Sequence, residues 1–289
     1  MTKQSQVHFR FAEVRQHEVF YREAGPKDAP VVLLLHGFPT SSHMFRNLIP
    51  ALAERYRVVA PDLPGFGFTV STTPFEHTFD HLTAVMDDFT NVIGANRYAV
   101  YVFDYGAPVG LRLALKHPER VTALITQNGN AYEEGLGQGF SPIQNFWANP
   151  SADNRAALRK LLEPESIRWQ YTQGVTDTSE IAPESYTLDT ALVARPGNHE
   201  IQLELFLDYR TNVALYPKFQ EYFRTRRPPL LAVWGRNDLI FLPAGAEAFK
   251  RDIPMAEVHL YETGHFALET HATEISAVIR DFLERNLGD

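Results

Sequence analysis

Three positions in this chain carry side chains of the kind that break covalent bonds, and each follows a strand-like run. Residues 97–103 are rich in β-branched and aromatic side chains and lead straight into Asp104. Tyr105, Gly106, Ala107 and Pro108 follow, and then a helical pattern. A strand–turn–helix elbow of this shape presents a nucleophile at its apex, usually serine; here the apex is a carboxylate. A carboxylate attacks saturated carbon, because its attack on an ordinary ester would give an anhydride, a poor intermediate. No Gly-x-Ser-x-Gly occurs anywhere to revive a serine mechanism. Asp238 stands just beyond the strand-like run 230–234, and His265 just beyond the run 257–261. Together they fit a two-step chemistry. Asp104 forms an alkyl ester, and His265, oriented by Asp238, deprotonates the water that hydrolyses it.

Each residue also has a plainer reading. An aspartate at a strand-to-helix turn suits an N-cap, and His265 taken alone is an ordinary loop histidine. Asp252 and Glu262 compete with Asp238 as the orienting acid, yet only Asp238 follows the right strand. The three together favour the chemical reading.

The elements that must position them alternate from the start. Residues 8–14 and 18–23 read as an opening hairpin, and 31–35 as a strand buried on both faces and ending at His36-Gly37. A helix is expected from Ser41 or Ser42 through Ala53, with Phe45, Leu48, Ile49 and Leu52 on one face. A strand at 56–60 stops at the turn-rich loop 61–67, a helix covers 78–93, and a strand covers 121–126. This is the pattern of an α/β fold with a mostly parallel sheet flanked by helices. From Asn128 to Arg227 no strand of that quality appears; the segment has helical stretches at 154–162 and 200–223 and many aromatic residues. It reads as an inserted helical cap, 128–227, in a core domain made of 1–127 and 228–289. Strands return at 230–234 and 257–261, with helices at 244–251 and 270–286.

Bulk properties narrow the partners. The 289 residues carry 27 Lys and Arg against 35 Asp and Glu, a net charge of −8, with no basic run. That argues against nucleic acid and anionic membranes and for a small uncharged or cationic substrate. The chain has no cysteine, so no disulfide or thiolate metal site is expected. His43, His77, His81 and Asp80 form no convincing ligand spacing, so no metal is expected. Residues 1–16 are polar, without the apolar stretch of a signal peptide, and no apolar run reaches the roughly 18 residues of a membrane span. The expectation is a cytoplasmic protein, with a homodimer left open.

The order nucleophile, acid, histidine resembles the α/β-hydrolase superfamily over nearly the whole chain. His36-Gly37-Phe38-Pro39 and Pro61-Asp62-Leu63-Pro64-Gly65-Phe66-Gly67 resemble motifs of its aspartate-nucleophile branch, which holds epoxide hydrolases and haloalkane dehalogenases. The resemblance implies an oxyanion hole from the backbone N–H groups of Phe38 and Tyr105, and no cofactor. His36 is expected to brace its loop rather than to react.

The leaving group must be read elsewhere. Asp208-Tyr209-Arg210-Thr211-Asn212 resembles the cap segment in which epoxide hydrolases carry a proton-donating tyrosine, so that role falls on Tyr209. Tyr209 also lies on an apolar helical stripe with Ile201, Leu205 and Tyr216, where a core tyrosine would look the same. A second cap tyrosine has no match; near its place stands Trp147, a candidate substrate contact through its indole N–H. Haloalkane dehalogenases supply a tryptophan after the nucleophile and an asparagine after His-Gly. Tyr105 and Phe38 stand there, and no arginine follows Asp104 as in fluoroacetate dehalogenases. The expectation is therefore an epoxide hydrolase, with a haloalkane dehalogenase as the alternative and a non-catalytic ligand-binding receptor as a third reading.

Overall fold

The computed structural model describes residues 6–287. The outermost residues of the expected core domain, 1–5 and 288–289, lie outside them, and with them the start of the polar N-terminal stretch. Among the described residues nine strands form one sheet: β1 His8–Val14, β2 His17–Ala24, β3 Val31–Leu35, β4 Arg57–Pro61, β5 Val70–Ser71, β6 Tyr98–Phe103, β7 Val121–Gln127, β8 Leu230–Gly235 and β9 Glu257–Tyr261. Their order is β1-β2-β4-β3-β6-β7-β8-β9, with the short β5 pairing β2. β2 runs antiparallel to β1, β4 and β5, whereas every pair from β4 to β9 is parallel.

The helices are α1 Leu48–Leu52, α2 Phe79–Val92, α3 Gly106–Lys116, α4 Ser141–Ala148, α5 Ala152–Leu158, α6 Pro164–Thr172, α7 Pro183–Val193, α8 Asn198–Asp208, α9 Arg210–Arg226, α10 Pro243–Asp252, α11 Ala267–Thr270 and α12 Ala272–Leu287. The apolar runs become central strands because both sheet faces are covered: every residue of β6 and β8 is buried. α2 starts where Thr78 accepts from the His81 N–H at 3.1 Å, a side-chain cap at the expected position.

Three expectations shift. The helix expected from Ser41 or Ser42 is a 3-10 turn, Ser42–Phe45, followed by the short α1. The expected helix 270–286 is α12, preceded by the separate α11. The stretch read as one helix over 200–223 is two, α8 and α9, meeting at Tyr209. Side chains on both sides of the junction are tied to the core. Asp208 Oδ2 accepts from the Phe79 N–H at 2.7 Å, and Arg112 donates to Asn212 Oδ1 at 2.5 Å and Thr211 Oγ1 at 3.0 Å. These ties are tertiary and leave no local periodicity to read.

α4 to α9 all lie between β7 and β8, and that stretch adds no strand to the sheet. Among the described residues no helix is long and apolar enough to cross a membrane. The parallel strands deliver Phe38, Asp104, Asn128, Asp238 and His265 just beyond the C-terminal ends of β3, β6, β7, β8 and β9. Ligands of open parallel sheets bind at that edge.

Candidate active site

Asp104 sits in the turn between β6 and α3 with φ of +47°. That left-handed conformation costs a non-glycine residue of order 1–3 kcal/mol, a strain typical of functional turns. Small neighbours make the turn feasible. A Cβ on Gly106 would stand 2.2 Å from the Leu35 carbonyl oxygen, and one on Gly37 would stand 2.3 Å from Asp104 Oδ1. The loop after β3 can therefore press against the elbow. The Phe38 N–H donates to Asp104 Oδ1 at 2.6 Å, and the Tyr105 N–H bonds the same carboxylate.

Asp104 is 5% exposed. Burial pushes its carboxyl up to about 6, against the pull of His265 and of the two N–H groups, while Asp238 adds to the rise.

His265 Nδ1 donates to Asp238 Oδ2 at 2.8 Å, which leaves Nε2 facing Asp104 Oδ2 at 4.0 Å. Nε2 is buried and makes no hydrogen bond within the protein. Burial lowers the imidazole pKa, but the charge and hydrogen bond of Asp238 outweigh it, with Asp104 adding to them, and the net shift is upward. The ring is wedged against Phe103 and Phe266 at centroid distances of 4.7 and 5.3 Å. Asp238 is held from every side: Oδ1 accepts from the Ile240 N–H at 2.7 Å, and Oδ2 also accepts from Asn128 Nδ2 at 2.7 Å. Sequence reasoning missed Asn128. It follows β7 at φ +44°, and its Oδ1 accepts from the Gly235 N–H at 3.1 Å, which ties the exits of β7 and β8 together. The polar run Gln127-Asn128-Gly129-Asn130, straight after an apolar strand, was the available signal. His36 braces its loop, Nε2 accepting from the Leu63 N–H at 3.0 Å.

A cavity of about 300 Å³ opens above Asp104, walled mainly by Phe38, Tyr105, Phe140, Ile143, Phe206 and Ile240. Glu165, Ser166, Trp169 and Gln170 of α6 form its one polar side. Tyr209 is fully buried but does not line this space. It lies one layer back, its ring 5.7 Å from Tyr105 and 4.9 Å from Phe140.

The Tyr209 hydroxyl is buried and faces that of Tyr216 without closing a well-directed hydrogen bond. Tyr216 Oη in turn accepts from Asn130 Nδ2 at 3.2 Å. Burial, then Tyr216 and Asp104, raise the Tyr209 pKa well above the usual phenol value. The Tyr105 hydroxyl is also buried without a partner. Trp147 departs from expectation. Its indole N–H donates to the Phe206 carbonyl at 2.7 Å, and its ring lies parallel to Tyr209 at 6.0 Å, outside the cavity wall. Once that carbonyl takes the N–H, no donor is left for a substrate.

The family model described as alpha/beta hydrolase fold matches residues 30–272. Uncharacterized hydrolase YNR064C of Saccharomyces cerevisiae is 45% identical, with 98% of this chain and all of the yeast protein covered. A haloalkane dehalogenase of Bradyrhizobium diazoefficiens is 37% identical over 124 residues, 43% of this chain and 40% of that protein. Among solved structures, epoxide hydrolase VrEH1 from Vigna radiata superposes with a TM-score of 0.76 at 23% identity, over 96% of this chain and 98% of that one. That likeness is one of fold. The match across most of the chain, and the close relative along its full length, show that this protein belongs to the alpha/beta hydrolase fold family.

Proposed function

We propose that this protein is a hydrolase that opens small, largely apolar epoxides to diols through an ester on Asp104. The observation that carries the reading is the Asp104 carboxylate itself: Oδ1 is held by the Phe38 N–H at 2.6 Å while Oδ2 faces His265 Nε2 at 4.0 Å. Oδ2 attacks an epoxide carbon, the ring C–O bond breaks, and the ring oxygen takes a proton from Tyr209. His265 Nε2 then removes a proton from water as that water adds to the ester carbonyl carbon. The tetrahedral oxyanion forms on Oδ1, where the N–H groups of Phe38 and Tyr105 already point. Its collapse releases the diol with the former Oδ2, and His265 protonates the leaving oxygen; Asp104, regenerated as the acid, loses its proton to solvent while Tyr209 regains one.

The helices α4 to α9 act as a cap that adds Ile143, the α6 side chains and Phe206 to the cavity wall, with Tyr209 at the α8–α9 junction behind it. On either side of that tyrosine, Asp208 is tied to the Phe79 N–H, and Thr211 and Asn212 are tied to Arg112. Tyr209 must cross the layer made by Tyr105 and Phe140 to reach substrate, so this reading includes a small rearrangement on binding.

The similarity to a haloalkane dehalogenase over less than half the chain favours a second reading, halide displacement by the same carboxylate. Against it stands the commitment of the Trp147 N–H to Phe206; the side-chain N–H donors of the cavity wall are Trp169 and Gln170, both on α6. His265→Gln separates the readings, because alkylation then proceeds and hydrolysis stops. Intact-protein mass after exposure to an epoxide should rise by the full epoxide mass. A haloalkane would instead add its mass less hydrogen halide. No adduct from either class, with tight binding of a small ligand, would leave a receptor.

A further inference from the structure

We infer that Glu165 makes the cavity selective against anionic substrates, so that the favoured epoxides are neutral or carry a cation at the end remote from the ring. This deepens the epoxide reading and rests on it. The cavity wall has two carboxylates, Asp104 at the bottom and Glu165 on the exposed side, and no lysine, arginine or histidine. Among the described residues the Glu165 side chain makes no hydrogen bond or ion pair, whereas Glu200 and Glu204 of α8 are held by Arg155 at 2.7 and 2.8 Å. The nearest cation in sequence, Arg168, lies over the Tyr186 ring at 5.6 Å rather than on Glu165. The other walls are aromatic and aliphatic. The Asp104 charge is shared with His265 4.0 Å away, so Glu165 is the unpaired charge, and in an apolar cleft it sets a negative potential that a substrate carboxylate must oppose.

Glu165 also stands in the first turn of α6, where a carboxylate favours the helix dipole. That role explains a glutamate at this end of a helix, but not its facing the cavity unpaired. The two roles have different readouts: one changes stability, the other changes the ranking of substrates by charge.

The test uses three epoxides with a common alkyl chain ending in a methyl ether, a trimethylammonium or a carboxylate. Their kcat/KM values are compared in the wild type, Glu165→Gln and Glu165→Lys, at low and high salt, with melting temperatures as control. The wild type should take the carboxylate substrate least. Glu165→Gln should raise it relative to the ether by about fivefold, the size expected for one exposed charge pair a few ångströms apart. Glu165→Lys should raise it further, and salt should narrow the wild-type spread. Equal use of carboxylate and ether by the wild type, or an unchanged ratio in Glu165→Gln, would overturn the inference while leaving epoxide opening intact. If no protein opens even the ether, the epoxide reading fails and this inference fails with it.

Discussion

The strand ends and the helices above them solve opposite problems. At the strand ends the groups that orient the chemistry are committed. Asp238 accepts three hydrogen bonds, Asp104 Oδ1 accepts the Phe38 N–H, and Asn128 locks two strand exits together. In the helical layer the functional candidates are uncommitted: among the described residues the Tyr209 hydroxyl makes no well-directed hydrogen bond and the Glu165 side chain no ion pair. Bond-making requires fixed geometry, supplied here by a rigid sheet edge. Discrimination among substrates tolerates a softer surface. Substitutions in the first region should therefore abolish chemistry, and those in the second should grade it.

The largest effect should come from Asp104→Ala, which removes the nucleophile; steady-state turnover should fall by about 10⁴ or more, and no adduct should form. Retention of even a tenth of the rate would break the contrast, because the sheet edge would then be a scaffold only. Asp104→Asn adds a stability readout of opposite sign. The folded-state pKa of Asp104 is raised to about 6 from 3.8, so its contribution is fully present below 3.8 and is lost as pH rises through about 6. At pH 7 the amide variant should melt no lower than the wild type, with any advantage gone near pH 4.

Tyr209→Phe comes next and should slow alkylation by about 10²-fold, the low end for a general acid. Single-turnover rates of adduct formation in the His265→Gln background measure this step. An unchanged rate would confine Tyr209 to packing and move the proton donor elsewhere, with the buried Tyr105 hydroxyl the next candidate.

The smallest effect is a pH profile. Attack needs Asp104 ionised and hydrolysis needs His265 neutral, and both pKa values are shifted upward. Both protonations thus lie on the acid side: kcat/KM should fall as pH drops through about 6, where Asp104 takes up its proton, and kcat should fall as His265, shifted above the ordinary imidazole range, is protonated. A flat profile from pH 5 to 8 would contradict the upward shifts. Because both groups belong to the strand-end apparatus, Glu165→Gln should leave the profile unchanged.

The same contrast governs how much could be read from the sequence. Asp104, Asp238 and His265 each follow a strand-like run, so local pattern alone puts them in order at one sheet edge. The hairpin 8–14 and 18–23, the buried strands and α2 were legible for the same reason: burial on fixed faces leaves a periodic trace. The helical segment left less. Its helices are short and mixed in polarity, and the break between α8 and α9 is tied down by Phe79 and Arg112, partners 129 and about 100 residues distant in the chain. Trp147 was misread because nothing local announces that its N–H meets the Phe206 carbonyl. Asn128 escaped notice because its role depends on Asp238, 110 residues away.

The central claim is the covalent ester on Asp104, and oxygen-18 tests it most directly. Excess enzyme is mixed with a limiting neutral epoxide in labelled water, so that each molecule turns over at most once, and the diol and the peptide containing Asp104 are weighed. Because water adds to the ester carbonyl carbon, the first-turnover diol should be unlabelled and the label should appear in the Asp104 carboxylate. A diol that carries the solvent label on its first turnover, with Asp104 unlabelled, would mean that water attacks the epoxide directly, and the nucleophile assigned here would be wrong.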